Sequence, residues 1–261
     1  RAADGIWGSP WVGFDQFTKF FQSYMFARVL RNTIIVSLYS LIAGFPMPII
    51  LALILNSLRS DRYRKVAQTI TYLPYFISTV VLVGILTQML NPRVGLVANL
   101  YRIFADSEMP NVMASPGAFP HLYVWSGVWQ SMGYNSIIYI AALANTDPEL
   151  HEAAEVDGAS RFQRVIHIDL PTILPTASIL LIMNCGNIMN VGFEKAFLMQ
   201  NNVNMETSEV ISTYVYKVGL GNTVTDFSYA TAIGLFNSII NLIMIIVVNT
   251  ITKRLNGNSL F

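Results

Sequence analysis

Residues 152–171 read EAAEVDGASRFQRVIHIDLP, and this stretch decides how the rest of the chain is interpreted. Asp147-Pro148, just before it, is a strong helix start, because aspartate caps free backbone N–H groups and proline suits the first helical turn. Gly158 then predicts a helix end with positive φ, and Ser160, three residues before a glutamine, predicts a capping box for a second helix. The sequence therefore predicts a helix, a glycine turn and a second helix that leads into an apolar segment.

The composition around this stretch is that of a membrane protein. Of the 261 residues, 53% are hydrophobic and 12% are charged, whereas soluble domains carry about 25% charged residues. Five stretches hold no Asp, Glu, Lys or Arg, and each is long enough for the roughly 20 apolar residues that cross a bilayer as a helix. We predict an all-α, polytopic membrane helix bundle with helices near 31–56, 66–90, 121–146, 169–192 and 228–252. Pro46, Pro48 and Pro74 are expected to kink or unwind the first two helices, with a break near Gly44.

Basic residues predict the orientation of these helices. Lys and Arg are denser in 57–65, in 147–168 and after residue 252 than in the other connections, and the positive-inside rule places the denser side in the cytoplasm. The residues concerned are Arg59, Arg62, Arg64, Lys65, Arg161, Arg164, Lys253 and Arg254. The chain then divides into an extracellular segment 1–28, a transmembrane core 29–256 with a cytoplasmic loop 147–168 and an extracellular loop 193–227, and a cytoplasmic tail 257–261. An outside N-terminus and five helices predict one more transmembrane helix upstream of Arg1.

The spacing within 152–171 resembles the EAA loop of ABC-importer permeases, the segment that docks on a cytoplasmic ATPase. Glu152-Ala153-Ala154 is followed after three residues by Gly158 and, after nine more, by Ile168. Further stretches share the resemblance: WVGFDQF at 11–17, NTIIVSLYSL at 32–41, TITYLPYFIS at 69–78, IIYIAAL at 137–143 and STYVYKVGL at 212–220. The chain resembles maltose-type ABC permeases of the MetI-like fold, and most of all their LplB-like branch, which is associated with uptake of oligosaccharides and polysaccharide fragments.

This resemblance implies a multi-pass subunit of the bacterial cytoplasmic (inner) membrane that works by alternating access. It implies a second homologous permease, two P-loop ATPase subunits, and an extracellular or periplasmic solute-binding protein that the loop 193–227 is expected to contact. The residues expected to couple the chain to the ATPase are Glu152, Ala153, Ala154, Glu155, Asp157, Gly158, Ser160, Ile168, Leu170 and Pro171. The sequence has no G-x-x-x-x-G-K-[ST] motif, so ATP and Mg²⁺ are expected on the ATPase. We expect no cofactor, metal, catalytic residue or nucleic acid on this chain.

Polar and aromatic residues inside the predicted helices are candidates for a substrate path. Sugars need hydrogen-bonding partners and aromatic faces, and side-chain amides are unfavourable in a bilayer unless they face protein or water. The candidates are Asn184, Asn187, Asn237, Asn241, Tyr134 and Tyr139. The asparagines fit two interpretations equally, a polar pore lining or hydrogen bonds between packed helices. Trp125 and Trp129 are expected at the membrane interface instead.

Several other functions fit parts of the sequence. A permease of the same fold could carry peptides or amino acids, and a channel or secondary transporter would work without an ATPase. Ion-coupled transporters place ionisable residues inside their spans, and the interiors of the predicted spans hold no Asp, Glu, Lys or Arg, which argues against ion coupling but not against a passive pore. A scaffold without transport would leave the loop spacing unexplained. His151 and His167, which flank the loop, are predicted to be solvated and belong to no catalytic triad pattern.

Overall fold

The structure is a computed structural model that describes residues 5–58, 60–105, 107–221 and 225–256, so Arg59 and the predicted tail 257–261 lie outside the described residues. Every regular element within these ranges is helical, as predicted. The α-helices are α1 (Gly5–Gly8), α2 (Asp15–Gln22), α3 (Tyr24–Gly44), α4 (Pro46–Asn56), α5 (Asp61–Tyr72), α6 (Thr79–Met89), α7 (Leu96–Phe104), α8 (Phe119–Leu143), α9 (Pro148–Val156), α10 (Arg161–Arg164), α11 (Leu170–Gly186), α12 (Phe193–Met199), α13 (Met205–Ser208), α14 (Ile211–Tyr216) and α15 (Phe227–Asn256). Leu73–Phe76 and Val112–Ala114 are 3₁₀ segments, and Val165–Asp169 and Lys217–Gly221 are π-helical.

The first predicted span is one long helix with a local interruption. α3 and α4 together make a span of 33 residues, from Tyr24 to Asn56. Phe45 separates them but keeps right-handed helical angles, and its N–H still donates to the Leu41 carbonyl at 3.0 Å. Pro46 and Pro48 have no N–H to donate, so the predicted break is a local loss of helical hydrogen bonds within one span.

The second predicted span, 66–90, is not a single helix. Its two parts, Asp61–Phe76 and Thr79–Met89, are bent by 97°. Pro74 interrupts the helical hydrogen bonds, Ile77 is extended, and Ser78 starts the next helix by accepting from the Val81 N–H at 3.3 Å. Kinking near Pro74 was therefore predicted correctly, but the prediction of one continuous helix was wrong.

Three helices in the described part of the chain are long and apolar enough to cross a membrane, namely Tyr24–Asn56, Arg161–Gly186 and Phe227–Arg254. The bent pair of α5 and α6 makes a fourth if it is one broken span. α8 corresponds to the predicted span 121–146 and is 25 residues long, but Gln130, Asn135 and several serines make it less apolar. It packs against α3, α4, α5 and α11, so it occupies the middle of the bundle.

The predicted loop 193–227 is mostly helical and forms a cap, which we define as residues 193–221. The cap is joined to α3 by buried hydrogen bonds. Asn32 Nδ2 donates to the carbonyls of Glu206 and Glu209 at 2.8 and 2.9 Å, and the Ile211 N–H donates to Thr33 Oγ1 at 2.9 Å. We call this end of the bundle the cap end and the opposite end, which carries α9 and α10, the loop end.

Candidate functional site

The loop at 147–168 has the local geometry that its sequence predicts. Asp147 accepts a hydrogen bond from the Glu149 N–H at 3.0 Å, with Pro148 in the first turn of α9. Gly158 ends the helix with φ +78°, and no atom lies within 4 Å of where a Cβ would be. Ser160 and Gln163 form the complete capping box, with hydrogen bonds of 2.7 and 3.3 Å. These predictions about the loop's local structure are confirmed.

α10 does not end before the membrane span. It continues through the π-helical segment Val165–Asp169 into α11, so Arg161–Gly186 is one helix of 26 residues. Ile168 lies in the π-helical segment, and Leu170 and Pro171 form the first turn of α11, where Leu170 packs against the core. The second half of the loop is therefore a direct extension of a span.

Two polar contacts fix α9 to this extended helix. His151 Nε2 lies 3.2 Å from Asp169 Oδ1, and the Asp169 side chain is only 4% exposed. Asn56 Nδ2 reaches the same oxygen at 3.4 Å, and Arg164 pairs with Glu155 at 3.0 Å. The prediction that His151 is solvated holds only in part, because its side chain is 30% exposed and its other side faces Asp169. Glu155, one of the predicted coupling residues, has Arg164 of the same loop as a partner, although its side chain is still 72% exposed.

The outer surface of the loop is partly apolar. Val156 and Phe162 are 89% and 73% exposed, and Leu150 is also exposed. Of the predicted coupling residues, Glu152, Ala153, Glu155, Asp157, Gly158, Ser160 and Pro171 are exposed, whereas Ala154, Ile168 and Leu170 are half-buried. We call Leu150, Glu152, Val156, Asp157 and Phe162 the loop face. Val156 and Phe162 were missed as candidates, although apolar residues in a polar loop are a signal that the sequence carries.

A polar cleft of about 400 Å³ lies between α3, α4, α8 and α11. Its polar lining consists of Ser37, Ser40, Tyr123, Ser131, Asn135, Tyr139, Asn184, Asn187 and Asn190. Three of the six predicted path residues, Asn184, Asn187 and Tyr139, are in this lining. Ser37 Oγ is buried in this wall and has no hydrogen-bond partner within the described structure.

The other three predicted path residues do not line the cleft. Asn237 and Asn241 Nδ2 donate to Asn190 Oδ1 at 3.0 and 3.2 Å, and Asn241 Oδ1 accepts from the Met189 N–H at 3.0 Å. They therefore join α15 to the turn after α11 and do not face the cleft, which is closer to the second of the two interpretations given above. The Tyr134 ring stacks on the Tyr75 ring, with 3.8 Å between their centroids.

The cleft residues that were not predicted come from small polar side chains. Ser37 and Ser40 lie on the same face of α3 as Gly44, and Ser131 and Asn135 are one turn apart on α8. Serines at helical spacing were a readable signal. Asn190 was assigned to a span predicted to reach residue 192, but the helix ends at Gly186 and Asn190 lies in the turn after it.

Comparisons with known proteins agree with this architecture. Residues 44–257 match the family model described as "Binding-protein-dependent transport system inner membrane component". Protein LplB of Bacillus subtilis (strain 168) is 38% identical over 98% of this chain and 80% of its own length. The polygalacturonan/rhamnogalacturonan transport system permease protein YteP of the same strain is 37% identical over 98% of this chain and 79% of its own.

Two solved structures are also similar. A bacterial ABC transporter involved in the import of the acidic polysaccharide alginate has a chain with a TM-score of 0.91 and 40% identity, covering 98% of this chain and 88% of that one. The alginate transporter in complex with an alginate pentasaccharide-bound periplasmic protein also gives a TM-score of 0.91 and 40% identity, over 95% of this chain and 85% of that one.

Proposed function

We propose a specific transport role from one established premise: this chain belongs to the family of inner membrane components of binding-protein-dependent transport systems. It is a membrane permease subunit of an ABC importer, with the MetI-like fold. The proposed substrates are oligosaccharides or polysaccharide fragments, which a solute-binding protein delivers and the permease passes across the membrane by alternating access.

The observation that carries the substrate class is the chemistry of the polar cleft. Its described lining offers serine and tyrosine hydroxyls and asparagine amides, without a charged side chain. Such groups both donate and accept hydrogen bonds, as sugar hydroxyls do, and Tyr123 and Tyr139 add aromatic surface. The relatives named for alginate, polygalacturonan and rhamnogalacturonan transport support the same class.

The proposed assembly contains a second homologous permease and two P-loop ATPase subunits that hold ATP and Mg²⁺. In this arrangement the loop end and the C-terminus lie in the cytoplasm, and the cap end faces the solute-binding protein. The loop face would dock on an ATPase, because its exposed apolar residues are flanked by the acidic Glu152 and Asp157, which suit a groove with basic residues.

The continuous helix Arg161–Gly186 supplies a route from ATP to the cleft. The loop begins this helix, and Asn184 near its other end lines the cleft. The 23 residue steps between Arg161 and Asn184 span about 35 Å at 1.5 Å per residue. A rigid displacement of the loop by the ATPase would therefore move one wall of the cleft. For this to drive transport, ATP must bind one of the two global states more tightly than the other.

The test is uptake of labelled oligosaccharides by ATP-loaded membrane vesicles that contain the complete importer and its binding protein. We expect ATP-dependent uptake, and we expect Asn184→Ala to lower it while the ATPase still co-purifies. Uptake that proceeds without ATP would favour a channel or secondary transporter. Stimulation of hydrolysis by peptides or amino acids, and not by glycans, would favour the same fold with another solute.

A further inference from the structure

One lysine is buried at the cap end of the polar cleft. Lys195 lies on α12, which packs against α6 and α8, and it is only 9% exposed. Its Nζ donates to the Tyr123 carbonyl at 2.8 Å and lies 4.9 Å from the centroid of the Tyr123 ring. Tyr123 lines the cleft, so this ammonium group borders the cleft wall.

Gly127, on α8, leaves room for the ammonium group. Tyr123, Gly127, Ser131 and Asn135 follow one another at intervals of four residues on α8 and therefore share a face. The other three line the cleft, whereas a Cβ on Gly127 would lie 3.1 Å from Lys195 Nζ. The ammonium thus lies beside Gly127, next to the stripe of α8 residues that lines the cleft.

The charge of Lys195 has no balancing carboxylate within the described residues. The ion pairs there involve Lys19, Arg64, His151, Arg164 and Lys217, and not Lys195. Lys217, on the same cap, has Glu209 at 2.8 Å. A carbonyl and a ring face only partly compensate a buried charge, since burial of an unpaired ion is strongly unfavourable. An anionic group that arrives with a ligand would complete the compensation.

We propose that Lys195 selects glycans that carry carboxylates, such as oligosaccharides with uronate residues, as they enter the cleft from the cap end. This inference rests on the proposed function, because it names the charge of the glycan that the same cleft passes. The uncharged lining would then bond the hydroxyls, and the lysine would bond the carboxylate. A lysine suits this role because its flexible stem can move from the Tyr123 carbonyl to the ligand.

The experiment uses ATP-loaded vesicles with the complete importer and saturating binding protein. The probes are an oligogalacturonide, an alginate oligosaccharide, and the same two compounds after reduction of their carboxyl groups to alcohols. Lys195→Gln removes the charge, Lys195→Arg keeps it, and Lys19→Gln removes a lysine of the exposed Lys19–Asp226 pair as a matched control. Stimulation of ATP hydrolysis by the binding protein reports whether each variant is folded and assembled.

We expect Lys195→Gln to lower uptake of the carboxylated probes about tenfold, because one charge-assisted hydrogen bond is lost. Uptake of the reduced probes and stimulation of ATP hydrolysis should not change. Lys195→Arg and Lys19→Gln should stay within about twofold of the unsubstituted protein, because the cleft keeps its charge. Unchanged uptake in Lys195→Gln, an equal loss for carboxylated and reduced probes, or an equal loss in Lys195→Arg would overturn the inference. If the unsubstituted importer takes up none of the four probes, this inference fails, whereas the glycan assignment is tested by the uptake of labelled oligosaccharides described above.

Discussion

Removing the imidazole of His151 should leave a buried carboxylate without its main partner. The two side chains are 3.2 Å apart, which is a hydrogen-bonding distance. Removing one partner of a buried hydrogen bond destabilises a protein by about 1–3 kcal/mol, and by more where the group left behind is charged. We expect about 3 kcal/mol for His151→Ala, because the His151 side chain is 30% exposed and Asn56 keeps its contact with Asp169 at 3.4 Å.

A double-mutant cycle isolates this contact. Asp169→Asn removes the charge and should lower the free energy of unfolding by about 1 kcal/mol. The double variant with both changes should lose about 2 kcal/mol less than the sum of the two single losses. His167→Ala is the control, because His167 is exposed and its Nδ1 lies 2.9 Å from the Gln163 carbonyl oxygen of its own helix.

The assays are thermal unfolding of the assembled importer in mild detergent and the ratio of glycan imported to ATP hydrolysed. His151→Ala should lower both the unfolding temperature and the transport ratio, because α9 is then less firmly attached to the helix that reaches the cleft. If the two single changes add, or if the transport ratio is the same in His151→Ala and His167→Ala, the contact does not connect the loop to the span.

Three further changes test other parts of the structure. Gly158→Ala should lower the free energy of unfolding by about 1–2 kcal/mol, because alanine is strained at φ +78° although its Cβ would contact nothing. It should also reduce co-purification of the ATPase more than Gly158→Asn does. Gly133→Ala would place a Cβ against the Thr71 carbonyl, so it should lower the unfolding temperature, while Gly84→Ala, where nothing lies within 4 Å, should be neutral. Burial lowers the pKa of Lys195 to about 8, so uptake of carboxylated glycans should be full below that pH and should fall as the pH rises through it. Lys195→Arg should abolish this decline, because arginine keeps its charge. A flat pH profile in the unsubstituted protein would contradict the prediction.

The parts of the loop that the sequence predicted depend on short-range physics. Asp147, Gly158 and Ser160 act on backbone groups two or three residues away, so their effects can be read from neighbours in the chain. The all-α fold follows equally directly from charge-free stretches of spanning length. The 97° bend near Pro74 could not be predicted in size, because the Ile77 carbonyl is held by Gln130 Nε2 at 2.7 Å, from a helix distant in sequence.

The contacts that were missed depend on how helices pack. His151 meets Asp169 only because α10 continues through a π-helical segment, and neither residue type signals its partner at that separation. Asn237 and Asn241 have the spacing of a pore lining, but both side chains donate to Asn190 Oδ1. This contact depends on the turn after Gly186, which the sequence did not reveal. Side-chain amides in spans indicate that a polar partner exists, but they do not distinguish a ligand from another helix.

Asp169 connects the loop to two walls of the cleft at once. It belongs to the helix that ends at the cleft with Leu180 and Asn184, and its carboxylate is also held by Asn56, the last residue of α4. α4 contributes Pro48 to another part of the same lining, and Gly44 and Phe45 precede it there. A movement of the loop would therefore shift α11 directly and would also displace α4 through the contact of Asn56 with Asp169. The Asp169–Asn56 contact therefore lets one movement of the loop reach two walls of the cleft, which is how we expect the proposed ATPase partner to act on it.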